Sequence, residues 1–298
     1  MRTIRESLVH RINLADGSVA RSLRGADVDP RRDFYGQKDL YEALNLSRLD
    51  LVRKAHKAFL EAGADIIRTN TLRANPLSLA AHGMAEEAFI LNYQAAQAAA
   101  EAVDSVPGRG RRRFVLGLVR DDGWDESPGA VEAAVNQQVQ GLIAGGVDGV
   151  LLDVLPGVGR IQAMLSGARR ARAALNSETA IFLQSIETGP HFGPRTVDAS
   201  DGVVRYRPGE ARKTAWLDAA VADGRVNLIG GGATPADTKV VDRMLRERAE
   251  DNFRPVLGWL RDNAPIDDFQ PASSWTRFPK EVAKTSGSAT LVDEEMKG

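Results

Sequence analysis

The sequence contains no cysteine, and this absence excludes several kinds of site at once. Disulfide bonds, thiolate zinc ligands and a cysteine nucleophile all require this residue. Histidine is also scarce, and His10, His56, His82 and His191 show no metal-ligand spacing. His56 falls inside a predicted helix and is interpreted as a packed structural residue, whereas only His191 falls at the end of a predicted strand. The sequence predicts no metal ligands.

Long apolar runs and a strong net charge are missing as well. No run approaches the roughly 18 apolar residues needed to cross a bilayer, and the charged N-terminal stretch does not resemble a signal peptide. The net charge is −1, so no strong field favours nucleic acid or an anionic membrane surface as a partner. We therefore expect a soluble, cytoplasmic protein that binds neither nucleic acid nor membranes.

The composition fits an α/β protein. The chain has 298 residues, 43% apolar and only 6% aromatic, which suffices for one large α/β domain or for two small domains. Apolar runs that alternate with helical periodicity predict a parallel sheet. The clear strands are expected at 12–16, 65–70, 114–119, 149–155, 180–187 and 226–230. The segment Gly193–Pro208 is predicted to be irregular, with Gly202–Tyr206 as the alternative position of a further strand.

The C-terminal part of the chain differs in composition. Beyond Pro265 it becomes rich in proline, serine and charge, which is typical of an extended or partly disordered segment. The predicted organisation is a barrel domain over 1–264 and a tail over 265–298.

The stretch Ala58–Pro76, AFLEAGADIIRTNTLRANP, is the most informative one. Its apolar residues at helical spacing end at Gly63, a buried strand follows, and the Thr69-Asn70-Thr71 triplet comes where that strand ends. In α/β proteins the carboxyl ends of parallel strands bind ligands. The triplet is therefore a candidate binding segment.

The same stretch resembles the homocysteine-binding methyltransferase domain of cobalamin-dependent methionine synthase and betaine–homocysteine methyltransferase. That family has a helix ending in LEAGAD, a strand, then ETNTF and an Ala-Asn pair; here Arg68 replaces the glutamate and Leu72 the phenylalanine. The phrase LNLSRLD is similar to the family's LNLTRPD, and Asp16-Gly17 matches the end of its first strand. The resemblance implies an eight-stranded (β/α) barrel. With about six clear strands, we expect a TIM-barrel-like fold that is incomplete.

The resemblance breaks down at the family's metal site. The sequence VNLIGGGATP, with Gly230, Gly231 and Gly232, is similar to the family's VNIIGGCCGTTP, in which two adjacent cysteines and a third from an earlier strand bind zinc. In the family, zinc activates the homocysteine thiol as a thiolate. The cysteine pair is missing here, so the expectation is that no zinc is bound.

The resemblance also implies functional roles for particular residues. Asp153 occupies the position of a family glutamate that contacts the substrate's amino group, and we predict Asp153 and Glu187 as catalytic residues that orient a substrate ammonium or act as general base. Arg21, Arg68 and Arg120 fall at the same barrel mouth, where guanidinium groups bind anions. The alternative is that these arginines form internal salt bridges. The further predicted substrate-binding residues are Asp16, Gly17, Thr69, Asn70, Thr71, His191, Gly230, Gly231 and Gly232.

The predicted activity is zinc-independent methyl transfer that involves an anionic or zwitterionic small molecule and tetrahydrofolate, or a corrinoid carried by a partner protein. One alternative is a non-catalytic partner subunit of a methyltransferase or corrinoid protein. Another is a barrel lyase or isomerase acting on an anionic substrate, with the glycine run as a phosphate cradle. Because an incomplete barrel leaves sheet edges unpaired, we also expect a partner chain, a second copy in a homo-oligomer or the tail to cover them.

Overall fold

A computed structural model describes residues 3–37, 39–108, 110–154, 158–185, 195–199, 202–207 and 228–248. Strands and helices alternate along most of these residues, as expected for an α/β protein. The strands of the described residues are β1 (Asn13–Ala15), β2 (Ile66–Arg68), β3 (Phe114–Arg120), β4 (Gly149–Val154), β5 (Ala180–Ser185), β6 (Arg195–Ala199), β7 (Gly202–Arg207) and β8 (Leu228–Gly230).

The strands form one curled sheet in the order β5-β4-β3-β2-β1-β8-β7-β6. The six strands from β5 to β8 in this order pair in parallel, with Ala15 opposite Ile66 on one side and Gly230 on the other. The β6–β7 hairpin extends the sheet; β7 runs parallel to β8, and β6 antiparallel to β7. The order ends at β5 and β6, so the fold is an incomplete TIM-like barrel, as the sequence predicted.

Helices connect most of the parallel strands. In the described residues they are α1 (Ile4–His10), α2 (Val19–Leu23), α3 (Pro30–Asp33), α4 (Leu44–Ser47), α5 (Leu49–Glu61), α6 (Pro76–Ala80), α7 (Ala88–Ser105), α8 (Pro128–Ala144), α9 (Val158–Ala174) and α10 (Pro235–Glu247), with 3-10 turns at Tyr41–Ala43 and Ala85–Glu87. Their starts follow local sequence signals. Asn75, Ser127 and Thr234 accept a hydrogen bond from the first turn of α6, α8 and α10, and a proline follows each of them. None of these helices is long and apolar enough to span a membrane.

All six predicted strands are confirmed. The prediction of an irregular segment over Gly193–Pro208 is wrong, because 195–199 and 202–207 pair as a hairpin; the alternative strand at Gly202–Tyr206 is confirmed. The valines and threonine of this segment are typical of strands, and this local preference was the overlooked signal. The predicted tail over 265–298 lies outside the described residues and remains a prediction.

The interior of the barrel is apolar at the amino ends of the strands. Ile66 and Phe114, the first residues of β2 and β3, share a buried cluster with Phe182 of β5. Ile4 and Leu8 of α1 belong to the same cluster, so this helix covers that end of the barrel. Burying each such side chain contributes about 1.5–3 kcal/mol. The opposite end, where the strands have their carboxyl termini, is left for polar groups.

Candidate functional site

A cleft of about 870 Å³ lies at the carboxyl ends of β1, β2 and β3. It is lined by seven of the predicted binding residues: Gly17, Arg68, Thr69, Asn70, Thr71, Arg120 and Gly232. A second cleft of about 900 Å³ lies between α2 and α5, on the outside of the barrel. Because ligands of parallel α/β proteins bind at the carboxyl ends of the strands, the first cleft is the candidate site.

Asp16 and Arg68 form an ion pair across β1 and β2, in which Asp16 is buried and Arg68 is partly buried. The Arg68 Nε donates to Asp16 Oδ1 at 2.8 Å, and the Arg68 backbone N–H donates to Oδ2 at 2.9 Å. The Arg68 Nη2 also donates to the carbonyl oxygens of Asp16 and Gly17, each at 2.9 Å. Burial raises the pKa of the fully enclosed Asp16 carboxyl, while Arg68 acts in the opposite direction. The geometry thus places this arginine in an internal salt bridge that holds the loop after β1.

The threonines of the Thr69-Asn70-Thr71 segment join β2 to β3. Thr69 Oγ1 accepts from the Leu118 backbone N–H at 3.0 Å, and Thr71 Oγ1 donates to the Leu118 carbonyl at 2.7 Å. The two hydroxyls lie 2.6 Å apart. Gln138 of α8 donates to the Thr71 carbonyl at 2.7 Å. These bonds fix the floor of the cleft, and no pattern in the sequence indicates Gln138 as part of it.

Asn70 anchors the neighbouring 3-10 turn to the same strand end. Its Nδ2 donates to the Tyr41 carbonyl at 2.7 Å and to Asn45 Oδ1 at 3.2 Å. Asn45 returns a hydrogen bond from its Nδ2 to the Asn70 carbonyl at 2.8 Å. The residues of the turn are thereby held at the edge of the cleft.

Arg120 and Asp153 form the second ion pair of the site. They lie opposite each other in the β3–β4 ladder, and both Nε and Nη2 of Arg120 donate to Asp153 Oδ2, at 3.1 and 3.0 Å. The Arg120 side chain is 37% exposed and lines the cleft, whereas Asp153 is buried. Asp153 Oδ1 has no hydrogen-bond partner among the described residues. The carboxylate therefore orients an accessible guanidinium and keeps one oxygen unused.

The glycine turn after β8 packs closely against β1 and α10. A Cβ on Gly231 would lie 2.3 Å from Thr238 Oγ1 and 2.7 Å from the Ala15 carbonyl oxygen. A Cβ on Gly17 would lie 2.6 Å from the Gly232 carbonyl oxygen. A side chain at Gly17 or Gly231 would therefore overlap neighbouring atoms, which explains why both loops have glycine at these positions.

These residues do not fit the zinc ion that the family resemblance implies. The three glycines of the turn offer no side-chain ligand, and the chain has no cysteine. In the part of the chain that the structure describes, no group of three histidine, aspartate or glutamate side chains could replace the cysteines as ligands.

Of the other predicted site residues within the described part of the chain, Asp16, Asp153, Gly230, Gly231 and Arg21 do not line the cleft. Gly230 and Gly231 are buried behind it, and Arg21 is exposed on α2. Glu187 and His191 lie outside the described residues.

Several residues that line the cleft were not identified from the sequence. Arg24, Asp39, Tyr41, Glu42 and Arg73 surround its mouth. The Arg24 guanidinium lies 6.0 Å from the centre of the Tyr41 ring. These residues come from loops and short turns that carry no periodic pattern, and no sequence signal connects them to the strand ends.

Asp122, just beyond the end of β3, also lines the cleft. It accepts a hydrogen bond from Ser78 Oγ at 3.1 Å. Partial burial raises the pKa of its carboxyl.

A polar cleft at the carboxyl ends of a curled parallel sheet defines a protein of the ligand-binding (β/α) barrel class. Within that class, residues 13–192 match the family model described as homocysteine S-methyltransferase. This match covers more than half of the chain, and the chain belongs to the homocysteine S-methyltransferase family. The family expectation drawn from the sequence is confirmed.

Individual relatives agree with this assignment. The chain is 27% identical to methionine synthase of Mycobacterium leprae (strain TN) over 189 residues, and 28% identical to methionine synthase of Mycobacterium tuberculosis (strain ATCC 25618 / H37Rv) over 187 residues. Each match covers 61% of this chain and 16% of the relative, so the chain corresponds to a small part of those proteins.

The fold is also similar to solved structures. The oxidized and metallated forms of the homocysteine methyltransferase MmuM from Escherichia coli both align with a TM-score of 0.57, at 19% and 20% identity. The alignments cover 78% of this chain and 95% and 96% of MmuM. At this identity the likeness concerns the fold alone.

Proposed function

We propose that the protein transfers a methyl group without zinc and that its strand-end cleft binds an anionic or zwitterionic small molecule. Family membership supports methyl transfer over lyase or isomerase chemistry. The observation that carries the proposal is the Arg120–Asp153 pair, which places an oriented, accessible guanidinium in a cleft whose glycine turn lacks zinc ligands. The acceptor must then be a group that reacts without conversion to a zinc-bound thiolate.

Within this proposal Arg120 binds the acidic group of the small molecule. A guanidinium forms charge-assisted hydrogen bonds with carboxylates and phosphates, and Arg120 uses only Nε and Nη2 toward Asp153. Asp153 orients Arg120 through Oδ2. Because its carboxylate is buried behind Arg120 and does not line the cleft, the general-base role expected for it stays a prediction. The role predicted for Glu187 remains a prediction.

The methyl donor is proposed to be a methylated tetrahydrofolate or a corrinoid held by a partner protein. This choice rests on the similarity to methionine synthase, of which the chain spans 16%. It is an inference by analogy and calls for a direct test.

The first experiment is a calorimetric titration with L-homocysteine, methyltetrahydrofolate and tetrahydrofolate, with the metal content measured on the same sample. Binding in a sample free of zinc supports the proposal and justifies an assay with methyl-labelled donor. Stoichiometric zinc, or turnover that a chelator abolishes and zinc restores, would refute zinc independence. If none of the three compounds binds, a non-catalytic partner subunit becomes the better assignment, and its partner should be sought by co-purification.

The role of Arg120 is tested by Arg120→Lys, which keeps the charge but loses the planar fork. We expect binding of the acidic ligand to weaken by about 10-fold or more, because a charge-assisted hydrogen bond contributes about 1.5–3 kcal/mol. Arg170→Lys is the control, since Arg170 is exposed and pairs with Glu132 on the outer helices. Equal affinity of both variants and the wild type would exclude Arg120 from the binding site.

A further inference from the structure

Glu42 is a buried carboxylate at the edge of the cleft that has an unused oxygen. It lies in the 3-10 turn Tyr41–Ala43 and is only 4% exposed. Its Oε1 accepts from the Arg73 backbone N–H at 3.1 Å, and the Arg73 Nε lies 3.7 Å from the same oxygen. Its Oε2 is buried and accepts no hydrogen bond from the described residues.

The position of Glu42 is set by its surroundings on both sides. The preceding carbonyl, of Tyr41, accepts the Asn70 side-chain amide at 2.7 Å. On the other side, Arg73 is held by the Glu42 carboxylate and donates from Nη2 to the Asp39 carbonyl at 3.1 Å. The unused oxygen therefore belongs to a carboxylate fixed in place.

The other carboxylates near the cleft differ from Glu42. Asp16 uses both oxygens for Arg68, and Asp153 lies behind Arg120 without lining the cleft. Asp122 lines the cleft but keeps contact with solvent and accepts the Ser78 hydroxyl. Among the residues that the structure describes, Glu42 is the buried carboxylate that lines the cleft and lacks a donor on one oxygen.

A buried carboxylate oxygen without a donor is energetically costly, and a ligand that supplies the donor removes that cost. We propose that Glu42 binds the protonated amine of the ligand and selects a zwitterion over a simple anion. This inference rests on the proposed function, because it takes the strand-end cleft as the ligand site. It assigns the ammonium to Glu42 and leaves Asp153 to orient Arg120.

The test uses L-homocysteine and 4-mercaptobutanoate, which has the same thiol and carboxylate but no amine. Both are titrated calorimetrically into the wild type, Glu42→Gln and Glu86→Gln. The Glu42→Gln change preserves the shape of the side chain and an acceptor for the Arg73 N–H, but it removes the negative charge. Glu86 is exposed in the other 3-10 turn, does not line the cleft and serves as the matched control.

We expect the wild type and Glu86→Gln to prefer homocysteine by about 10- to 100-fold, the range of one charge-assisted hydrogen bond. In Glu42→Gln the preference should fall to about one, through loss of homocysteine affinity. A purely structural role of Glu42 would change the affinity for both compounds but keep their ratio, and that result would overturn the inference.

The two proposals fail in different ways. If the wild type binds both compounds equally well, the selection by Glu42 is refuted while the cleft remains a ligand site. If the wild type binds neither compound, the inference is refuted, and the titrations with methyltetrahydrofolate and tetrahydrofolate decide whether the proposed function fails with it.

Discussion

The buried His56 predicts how the stability of the protein depends on pH. This residue lies in α5, has no exposed surface, and neither of its ring nitrogens has a hydrogen-bond partner among the described residues. Burial disfavours the charged imidazolium and lowers the pKa of His56 from 6.5 to about 4. The interpretation of His56 as a packed structural residue agrees with this environment.

The sign of the effect follows from proton binding in the two states. Below about pH 6.5 the unfolded chain protonates His56, whereas the folded protein does so only near pH 4. Protons therefore favour the unfolded state in this window, and the free energy of unfolding falls as the pH falls. A pKa difference of about 2.5 units corresponds to a loss of about 3 kcal/mol between neutral pH and about pH 4.

The assay is urea unfolding at several pH values between about 7 and 4, for the wild type and His56→Leu. Leucine fills a similar volume and cannot take up a proton. The other titrating groups are common to both proteins, so the difference between their free energies of unfolding isolates His56. We expect the variant to gain about 3 kcal/mol relative to the wild type across this range.

The control is His82→Gln. His82 is only partly buried, and its Nδ1 lies 3.1 Å from Gln37 Oε1. This variant removes a histidine outside the core and is measured in the same way. If the difference between wild type and His56→Leu stays constant from neutral to acid pH, the reasoning from burial is wrong.

Two further predictions concern the strand ends. Gly231→Ala should destabilise the protein by about 1–3 kcal/mol, since the new methyl group would overlap Thr238. The control is Gly129→Ala at an open helix position, which should be neutral or slightly stabilising. Equal denaturation midpoints of the two variants would contradict the prediction. Arg68→Gln should cost about 3 kcal/mol near neutral pH, because it leaves Asp16 buried without a cation. Since protonation of Asp16 removes the unpaired charge, the loss should shrink in acid, and urea unfolding at two pH values would show whether it does.

Local patterns were sufficient to predict most of the architecture. The apolar runs located all six parallel strands, and the helical spacing before Gly63 predicted the helix that the structure shows as α5. The motif around Thr69-Asn70-Thr71 indicated the family and the end of the barrel that carries the cleft. These features depend on residues close together in the chain, because periodicity and capping act within one or two turns of backbone. The β6–β7 hairpin departs from this pattern, because charged residues interrupt the valines and threonine that favour its strands.

Such local patterns could not predict which side chains pair with each other at the site. The sequence predicted Arg68 and Arg120 at the mouth of the barrel. It did not determine whether these arginines bind a ligand or form internal salt bridges. The structure joins Arg68 to Asp16, 52 residues away, and leaves Arg120 accessible above Asp153. No sequence pattern indicated Glu42 as a site residue, because the cleft that it lines is formed by several separate loops.

The sequence by itself therefore determined the family, the parallel strands, and the absence of thiol ligands at the glycine turn. Only the tertiary structure decided which charges neutralise each other and which oxygen remains unused. The physical reason is that the energy of a charge or a polar atom depends on its burial and on partners within a few ångströms. Those partners are distant in the chain, and folding alone brings them together.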